Sequence, residues 1–398
     1  MSLLPEYGDD AFQLLSHYLV KTAESMSNGF SASNPFLSQL IPLAFSSDVI
    51  LRLILTQSAA HRAVLHQAKI DNVASGHYSK SVKLFRERIN DHITGTEVNP
   101  LMLAVGALIM CFTETAKGDI NGVIFDHLSA STSLLLEALR RQSPTIPKEL
   151  KDFLVEYYSY TATLSLISID IDVTSQSLLN PELEELAHQL VLSQYVGSLC
   201  GCWLELLLLI PKVFELGRQW RFCDQAEDEE LTTSRPMNKL AETFASFASL
   251  HCRILRWSPH PSYTIDGALA GRIFQQALLL YLYTSVDSTG HVTGPNYGSL
   301  IEATVAESMS LLDQLSPTLR INTSLCWPIA IIGSCLHDKI RHQKLRSRLN
   351  TMLSTIGLGN IRQTLKILEH VWSRPSENAG PWCISKVMQD HQIWISFA

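Results

Sequence analysis

The chain has 398 residues, of which 46% are hydrophobic and 17% are charged. This balance is typical of an ordered globular protein with a large core, and it excludes an intrinsically disordered chain. The formal net charge of −7 provides no overall positive field for a phosphate backbone, so autonomous nucleic-acid binding is not expected.

The amino-terminal residues MSLLPEYGDDAF lack a basic segment followed by an apolar one, which predicts no targeting peptide and a protein of the nucleus or cytoplasm. The most apolar stretch, 190–216, contains Glu205 and Lys212. It is therefore predicted to be a buried core helix and not a membrane span. The eight cysteines lack the regular spacing of a disulfide framework, and we predict that they are reduced core residues.

Helical periodicity recurs along the whole chain, whereas the alternation typical of strands is scarce. In three segments the apolar residues repeat at helical spacing: Val82, Phe85, Ile89 and Ile93; Ile329, Ile332, Leu336 and Ile340; and Ile361, Leu365, Leu368 and Trp372. The pattern predicts an all-α fold, a multi-helical array of stacked antiparallel helices with negligible sheet.

Local punctuation supports this prediction. Asn34-Pro35 and Asn180-Pro181 each combine a capping side chain with a proline suited to the first helical turn, so a helix is predicted to begin at each pair. Gly357 is predicted to end a helix as a C-cap residue.

Two stretches have the composition of connections: the acidic segment 223–238 and the glycine-rich segment 287–298. The first could join two lobes, 1–222 and 239–398. Because apolar helices resume at once on each side of it, we predict a single helical domain, 1–398. No residue signature repeats at a period of 30–50 residues, so a solenoid is not predicted.

Several segments, in order, resemble the regulatory domain of fungal zinc-cluster transcription factors, the fungal-specific transcription factor domain. The most recognisable is an apolar helix, a glutamate, a Gly-Asp turn and a His-Leu pair in LMLAVGALIMCFTETAKGDINGVIFDHLSA, and a second is LCWPIAIIGSC before a helix that ends in tryptophan. We refer to the matching residues as the nine family positions: Glu114, Gly118, Asp119, His127, Leu128, Trp327, Pro328, Gly333 and Trp372. They are expected to be structural.

The resemblance implies transcription regulation in the nucleus through protein contacts, with a second copy or a zinc-cluster transcription factor as partner and a small molecule as effector. Family members begin with a cluster of six cysteines that binds two zinc ions and reads DNA. No cysteine precedes Cys111 in this chain, so the zinc cluster is absent and sequence-specific DNA binding is not expected. The chain is then either a shortened gene product or a stand-alone relative of the family.

Two pairs of residues, one of cysteines and one of histidines, are candidate metal ligands. On a helix, Cys200 and Cys202 would point to opposite sides, which favours buried thiols over metal ligands. His337 and His342 are five residues apart, whereas the histidines of a zinc-protease helix are four apart, so an exposed helix end is favoured. No metal site is predicted.

Glu114 and His127 each allow two interpretations. His127 could line a ligand pocket, or its ring could bind a backbone carbonyl within the bundle, and the second is favoured. Glu114 lies in an otherwise apolar segment and must reach solvent or a partner. A contact between these two side chains across a helical hairpin would satisfy that requirement.

Catalytic signals are missing from the sequence. It contains neither a GxxxxGK[ST] phosphate loop nor a GxSxG nucleophile elbow. We therefore predict no catalytic residue, no cofactor and no enzymatic activity. The acidic stretch 224–230 is interpreted as a solvated loop, with an interaction segment as the alternative.

Three functions remain as hypotheses. The first is a non-catalytic transcription regulator of the family named above. The second is a small-molecule-binding protein or enzyme built on the same helical scaffold. The third is an adaptor that binds a zinc-cluster relative and withholds it from DNA.

Overall fold

The computed structural model of the chain describes residues 7, 10–30, 33–67, 72–95, 99–142, 145–169, 179–225, 237–260, 263–286, 296–375 and 380–398. Within these ranges the protein is built of helices and has no strand, which confirms the predicted all-α fold. Extended pairing in the described part is limited to two isolated bridges, Asn121 with Trp394 and Gly197 with Gly201.

The helices are α1 (Ala11–His17), α2 (Ala23–Met26), α3 (Pro35–Ser38), α4 (Leu40–Ser46), α5 (Asp48–Leu65), α6 (Asn72–Ile93), α7 (Pro100–Lys117), α8 (Val123–Gln142), α9 (Lys148–Ser165), α10 (Pro181–Leu192), α11 (Leu204–Leu207), α12 (Ile210–Gln225), α13 (Met237–Arg256), α14 (Ile265–Val286), α15 (Gly298–Gln314), α16 (Cys326–Ser334), α17 (Lys339–Ile356), α18 (Gly359–Trp372) and α19 (Ile384–Asp390). A π-helical turn, Tyr18–Thr22, joins α1 to α2, and 3₁₀ turns cover Leu166–Ser168, Arg320–Leu325 and Pro381–Cys383.

The predicted helix ends are confirmed. The Asn34 side chain accepts a hydrogen bond from the Phe36 amide at 3.0 Å, and the Asn180 side chain accepts one from the Glu182 amide at 2.9 Å. Gly357 ends α17 with a φ of +79°, a left-handed conformation that glycine adopts at little cost.

Helix α7 lies at the centre of the first half of the chain, packed between α5 and α8. Among the described residues it is the one helix long and apolar enough to cross a membrane by length and composition, but 89% of it is buried inside the protein. The apolar side chains of α7 therefore pack against other helices of the protein.

The apolar stretch 190–216 is not one core helix, so that prediction is wrong. Helix α10 ends at Leu192, residues 193–203 form a loop in which residues 197–201 are buried, and α11 and α12 follow. Cys200 and Cys202 therefore lie in a loop and not on a helix. The loop is stable in the interior because the buried Glu156 carboxylate accepts hydrogen bonds from its amide groups.

A single helix through 329–340 is also wrong. Helix α16 ends at Ser334, and Asp338 starts α17 by accepting a hydrogen bond from the Arg341 amide at 2.8 Å. Ile340 lies beyond this break and is 75% exposed. The segments 82–93 and 361–372 are helical as predicted, although Ile93 at the end of α6 is exposed as well.

The second half of the chain is arranged around α14, which packs against α12, α15 and α16. Helix α18 lies against α16 and α17 on one side and contacts α7 of the first half on the other. The described residues leave out most of the two predicted connections, 223–238 and 287–298, and most of the acidic stretch 224–230. The single domain 1–398 stays a prediction.

Candidate functional site

Four of the nine family positions meet where α7 ends and α8 begins. Glu114 is in the last turn of α7, Gly118 is its C-cap, and Asp119 follows directly. His127 faces them from α8, and Tyr78 reaches them from α6. We call Tyr78, Glu114, Lys117, Asp119 and His127 the Glu114 cluster.

The Glu114 carboxylate is buried, and other side chains of the protein satisfy its charge. It accepts a hydrogen bond from the Tyr78 hydroxyl at 2.6 Å and forms an ion pair with the Lys117 ammonium at 2.7 Å. The same ammonium lies 3.3 Å from an Asp119 oxygen and 4.2 Å from the centre of the Tyr78 ring. Burial raises the pKa of Glu114, while the Lys117 charge opposes this shift.

His127 contacts Glu114 as the sequence suggested, but only loosely. Its Nε2 atom lies 3.9 Å from a Glu114 oxygen, beyond hydrogen-bond distance, and has no hydrogen-bond partner among the described residues. Binding of the ring to a backbone carbonyl is therefore not observed at this nitrogen. Burial and the nearby positive charges lower the pKa of His127 to about 4, so the ring is neutral at pH 7.

Gly118 is required by a close approach of two helix ends. It has a φ of +71°, and a Cβ atom added to it would lie 2.7 Å from the Gly359 backbone at the start of α18. The Gln363 side chain donates a hydrogen bond to the Gly118 carbonyl at 3.2 Å. A side chain at position 118 would push α18 away from α7.

The carboxy-terminal segment 393–398 closes the same region. The Trp394 amide donates a hydrogen bond to the Ile120 carbonyl at 2.9 Å, and the Asn360 side chain donates one to the Ala398 carbonyl at 2.6 Å. The cavity enclosed here, lined by Glu114, Gly118 and Asn360 among others, has a volume of about 10 Å³. That is the space of about one water molecule, so the Glu114 cluster has no room for a substrate.

The remaining family positions are also internal contacts. Leu128 is fully buried on α8, and Trp327 is fully buried on α16. The Trp327 ring stacks on Phe274 of α14 with centroids 6.0 Å apart. Pro328 lies in the first turn of α16, where its missing N–H removes no helical hydrogen bond.

Gly333 and Trp372 contact each other directly. The Trp372 indole donates a hydrogen bond to the Gly333 carbonyl at 2.8 Å. A Cβ atom at position 333 would lie 2.8 Å from Leu345 and from Leu368, so glycine allows α17 and α18 to pack closely on α16. This pair joins three helices.

Sequence reasoning missed Glu156, whose carboxylate is fully buried. One oxygen accepts hydrogen bonds from the Leu199 and Cys200 amides at 2.7 Å each, and the other accepts from the Ser198 amide and the Tyr195 hydroxyl. One feature of the sequence could have revealed it: Glu156 lies on the same face of α9 as Phe153 and Tyr160, and a charged residue on an apolar helix face needs a buried partner. Burial raises the pKa of Glu156, and these hydrogen bonds oppose the shift.

The other cysteine and histidine candidates form no metal site in the described residues, where no three His, Cys, Asp or Glu side chains are grouped to hold a metal ion. Cys200 is buried within the loop 193–203, and burial raises the pKa of its thiol. His337 precedes α17, and the His342 ring stacks on Trp372.

Comparison with known protein families matches residues 13–398 to the fungal specific transcription factor domain. The chain belongs to this family. Neither a curated protein nor a solved structure matches it. Membership agrees with the helical fold and indicates a role in transcription regulation. Two of the nine positions that resemble the fungal transcription factor domain, Gly118 and Gly333, lie where helices approach closely.

Proposed function

We propose that this fungal transcription factor domain is a non-catalytic regulator that acts in the nucleus through an effector ligand and protein contacts. The match of the family over residues 13–398 is the observation that carries the proposal. The net charge of −7 supports the further proposal that the chain does not bind DNA sequence-specifically on its own. Its partner would be a second copy or a zinc-cluster transcription factor.

The geometry of the Glu114 cluster supports a structural, regulatory use of this region. The cluster joins α6, α7 and α8, and Gly118 brings α18 and the segment 393–398 against them. A ligand or partner that favours one arrangement of α18 would therefore change contacts in both halves of the chain. Such a switch requires different affinities for the two arrangements.

A reporter assay tests the proposal. The chain is fused to a bacterial repressor's DNA-binding domain, and transcription from a promoter with repressor sites is measured in fungal cells under several nutrient conditions. We expect the fusion to change reporter output, and the change to depend on growth condition. A fusion carrying Leu128→Asp, which places a charge in the core, is expected to lose this effect.

The proposal is wrong if the intact fusion is abundant in the nucleus, by immunoblot and microscopy, and leaves the reporter unchanged under every condition. A sequence-selective gel shift by the purified chain that persists at high salt would contradict the statement on DNA binding.

A further inference from the structure

An open groove lies between α17 and α18, next to the contact between Gly333 and Trp372. It has a volume of about 480 Å³ and is lined by Lys339, His342, Gln343 and Arg346 from α17 and by Glu369, Trp372 and Ser373 at the end of α18. This volume is within the range of sites that bind small molecules.

Two aromatic rings, those of His342 and Trp372, are part of the groove lining. The rings of His342 and Trp372 stack with centroids 4.3 Å apart and an angle of 14° between their planes. Trp372 is held by the Gly333 carbonyl, and His342 Nε2 is 2.9 Å from the Leu336 carbonyl. Both rings are thus fixed before any ligand arrives, which lowers the entropy cost of binding a flat molecule.

The charged groups of the groove leave one cation without a counter-ion. Arg346 lies over the Trp372 ring and forms an ion pair with Glu369 at 3.0 Å, which neutralises the groove's one carboxylate. Lys339 is exposed, and the ion pairs of α17 within the described ranges involve Arg341, Lys344 and Arg346 but not Lys339. It also occupies the first turn of α17, where the helix dipole adds to the positive potential.

We propose that this groove binds a small aromatic carboxylate. The aromatic ring packs against His342 and Trp372, and the carboxylate pairs with the Lys339 ammonium. A cationic ligand would meet two cations and only one carboxylate that is already paired, whereas an anion completes the charge balance. This site deepens the proposed function, on which its role as the effector site rests, since a ligand here contacts both α17 and α18.

Two compounds that share a ring system separate the aromatic from the electrostatic contribution. Purified chain is titrated with 2-naphthoate and with neutral 2-naphthylmethanol, and binding is followed by ligand-detected NMR. We expect 2-naphthoate to bind about fivefold more tightly, the effect of one partly exposed ion pair. Lys339→Ala should weaken 2-naphthoate binding by about the same factor and leave the alcohol unaffected.

Lys344→Ala is the matched control. Lys344 is on the same helix, carries the same charge, and pairs with Asp313 outside the groove. Its removal should change the affinity for 2-naphthoate by less than about twofold. Absence of saturable binding, equal affinities for the two compounds, or equal losses in the two lysine variants would each overturn the ligand site.

The binding assay and the reporter assay test different proposals, so a negative result in one does not decide the other. A reporter response without 2-naphthoate binding overturns the groove proposal alone. Binding that meets all of these expectations, with a reporter that never responds, overturns the regulatory function and leaves the binding site in place.

Discussion

Replacement of Glu156 by glutamine tests how the loop 193–203 is held. In the native protein both carboxylate oxygens accept hydrogen bonds, one from the Leu199 and Cys200 amides and the other from the Ser198 amide and a tyrosine hydroxyl. Glutamine retains one acceptor oxygen but places an NH₂ group where the second oxygen lies. The Ser198 amide would then face a donor.

The expected loss follows from these contacts. Hydrogen bonds to a charged group contribute about 1 kcal/mol more than neutral ones, so the Leu199 and Cys200 bonds together weaken by about 2 kcal/mol. The orphaned Ser198 amide costs about 1–3 kcal/mol more. Removal of a buried charge offsets part of this sum. We expect Glu156→Gln to lower the free energy of unfolding by about 3 kcal/mol, and Glu156→Ala to lower it further because three amides lose their partner.

Urea unfolding followed by circular dichroism measures this loss. Limited proteolysis should show faster cleavage within 193–203 in Glu156→Gln than in the native chain. Glu149→Gln, an exposed position in the first turn of the same helix, is the control and should cost less than about 1 kcal/mol. Equal stability of Glu156→Gln and Glu149→Gln would refute the role assigned to the carboxylate.

Three further predictions concern other contacts. In urea unfolding, Gly118→Ala should lower the free energy of unfolding by at least about 1 kcal/mol more than Gly95→Ala. Both glycines have a positive φ, but only a Cβ atom at position 118 would meet a neighbouring backbone. Equal losses in the two variants would contradict the close approach of α18. Burial lowers the pKa of His61 to about 4, so the unfolded chain binds more protons between pH 6.5 and 4 and stability falls on acidification. His61 should account for a loss of about 2 kcal/mol in the free energy of unfolding between pH 7 and pH 5. If the free energy of unfolding of His61→Gln falls as steeply with decreasing pH as that of the native chain, this prediction is wrong. Phe397→Ala should lower the free energy of unfolding by about 3–5 kcal/mol, and Trp394→Ala should lower it by less because Trp394 is partly exposed. If thermal unfolding gives the reverse order, the segment 393–398 is not packed as described.

The predicted fold class was right because its causes are local. Helical spacing of apolar residues and the two Asn-Pro caps depend on neighbours within a few residues, and these are present in the sequence whatever the chain packs against. The same holds for Gly357, which ends α17 through its own left-handed conformation. The family resemblance could also be recognised from the sequence, because it depends on the order of short segments along the chain.

Two helix predictions failed for different reasons. One helix is replaced by a loop that a distant residue binds, and the other is interrupted by a capping residue within an apolar pattern. Residues 193–203 are apolar enough for a helix, but the Glu156 carboxylate, some forty residues earlier in the chain, binds their amides instead. Between α16 and α17 the apolar repeat continues through a break that Asp338 makes by capping the second helix. Periodicity alone does not report either hydrogen bond.

For the candidate site, the residue types and their order could be read from the sequence: a glutamate in an apolar helix, a Gly-Asp turn after it and a histidine on the next helix. Their contacts, in contrast, are set by the packing of the helices. The partners of Glu114 come from α6 as well as α7, the neighbour of Gly118 is Gly359, and the groove beside Trp372 forms only where α17 and α18 meet. Spacing along one helix fixes which side chains share a face, but contacts between distant segments depend on how the helices pack, which the burial of the whole core sets.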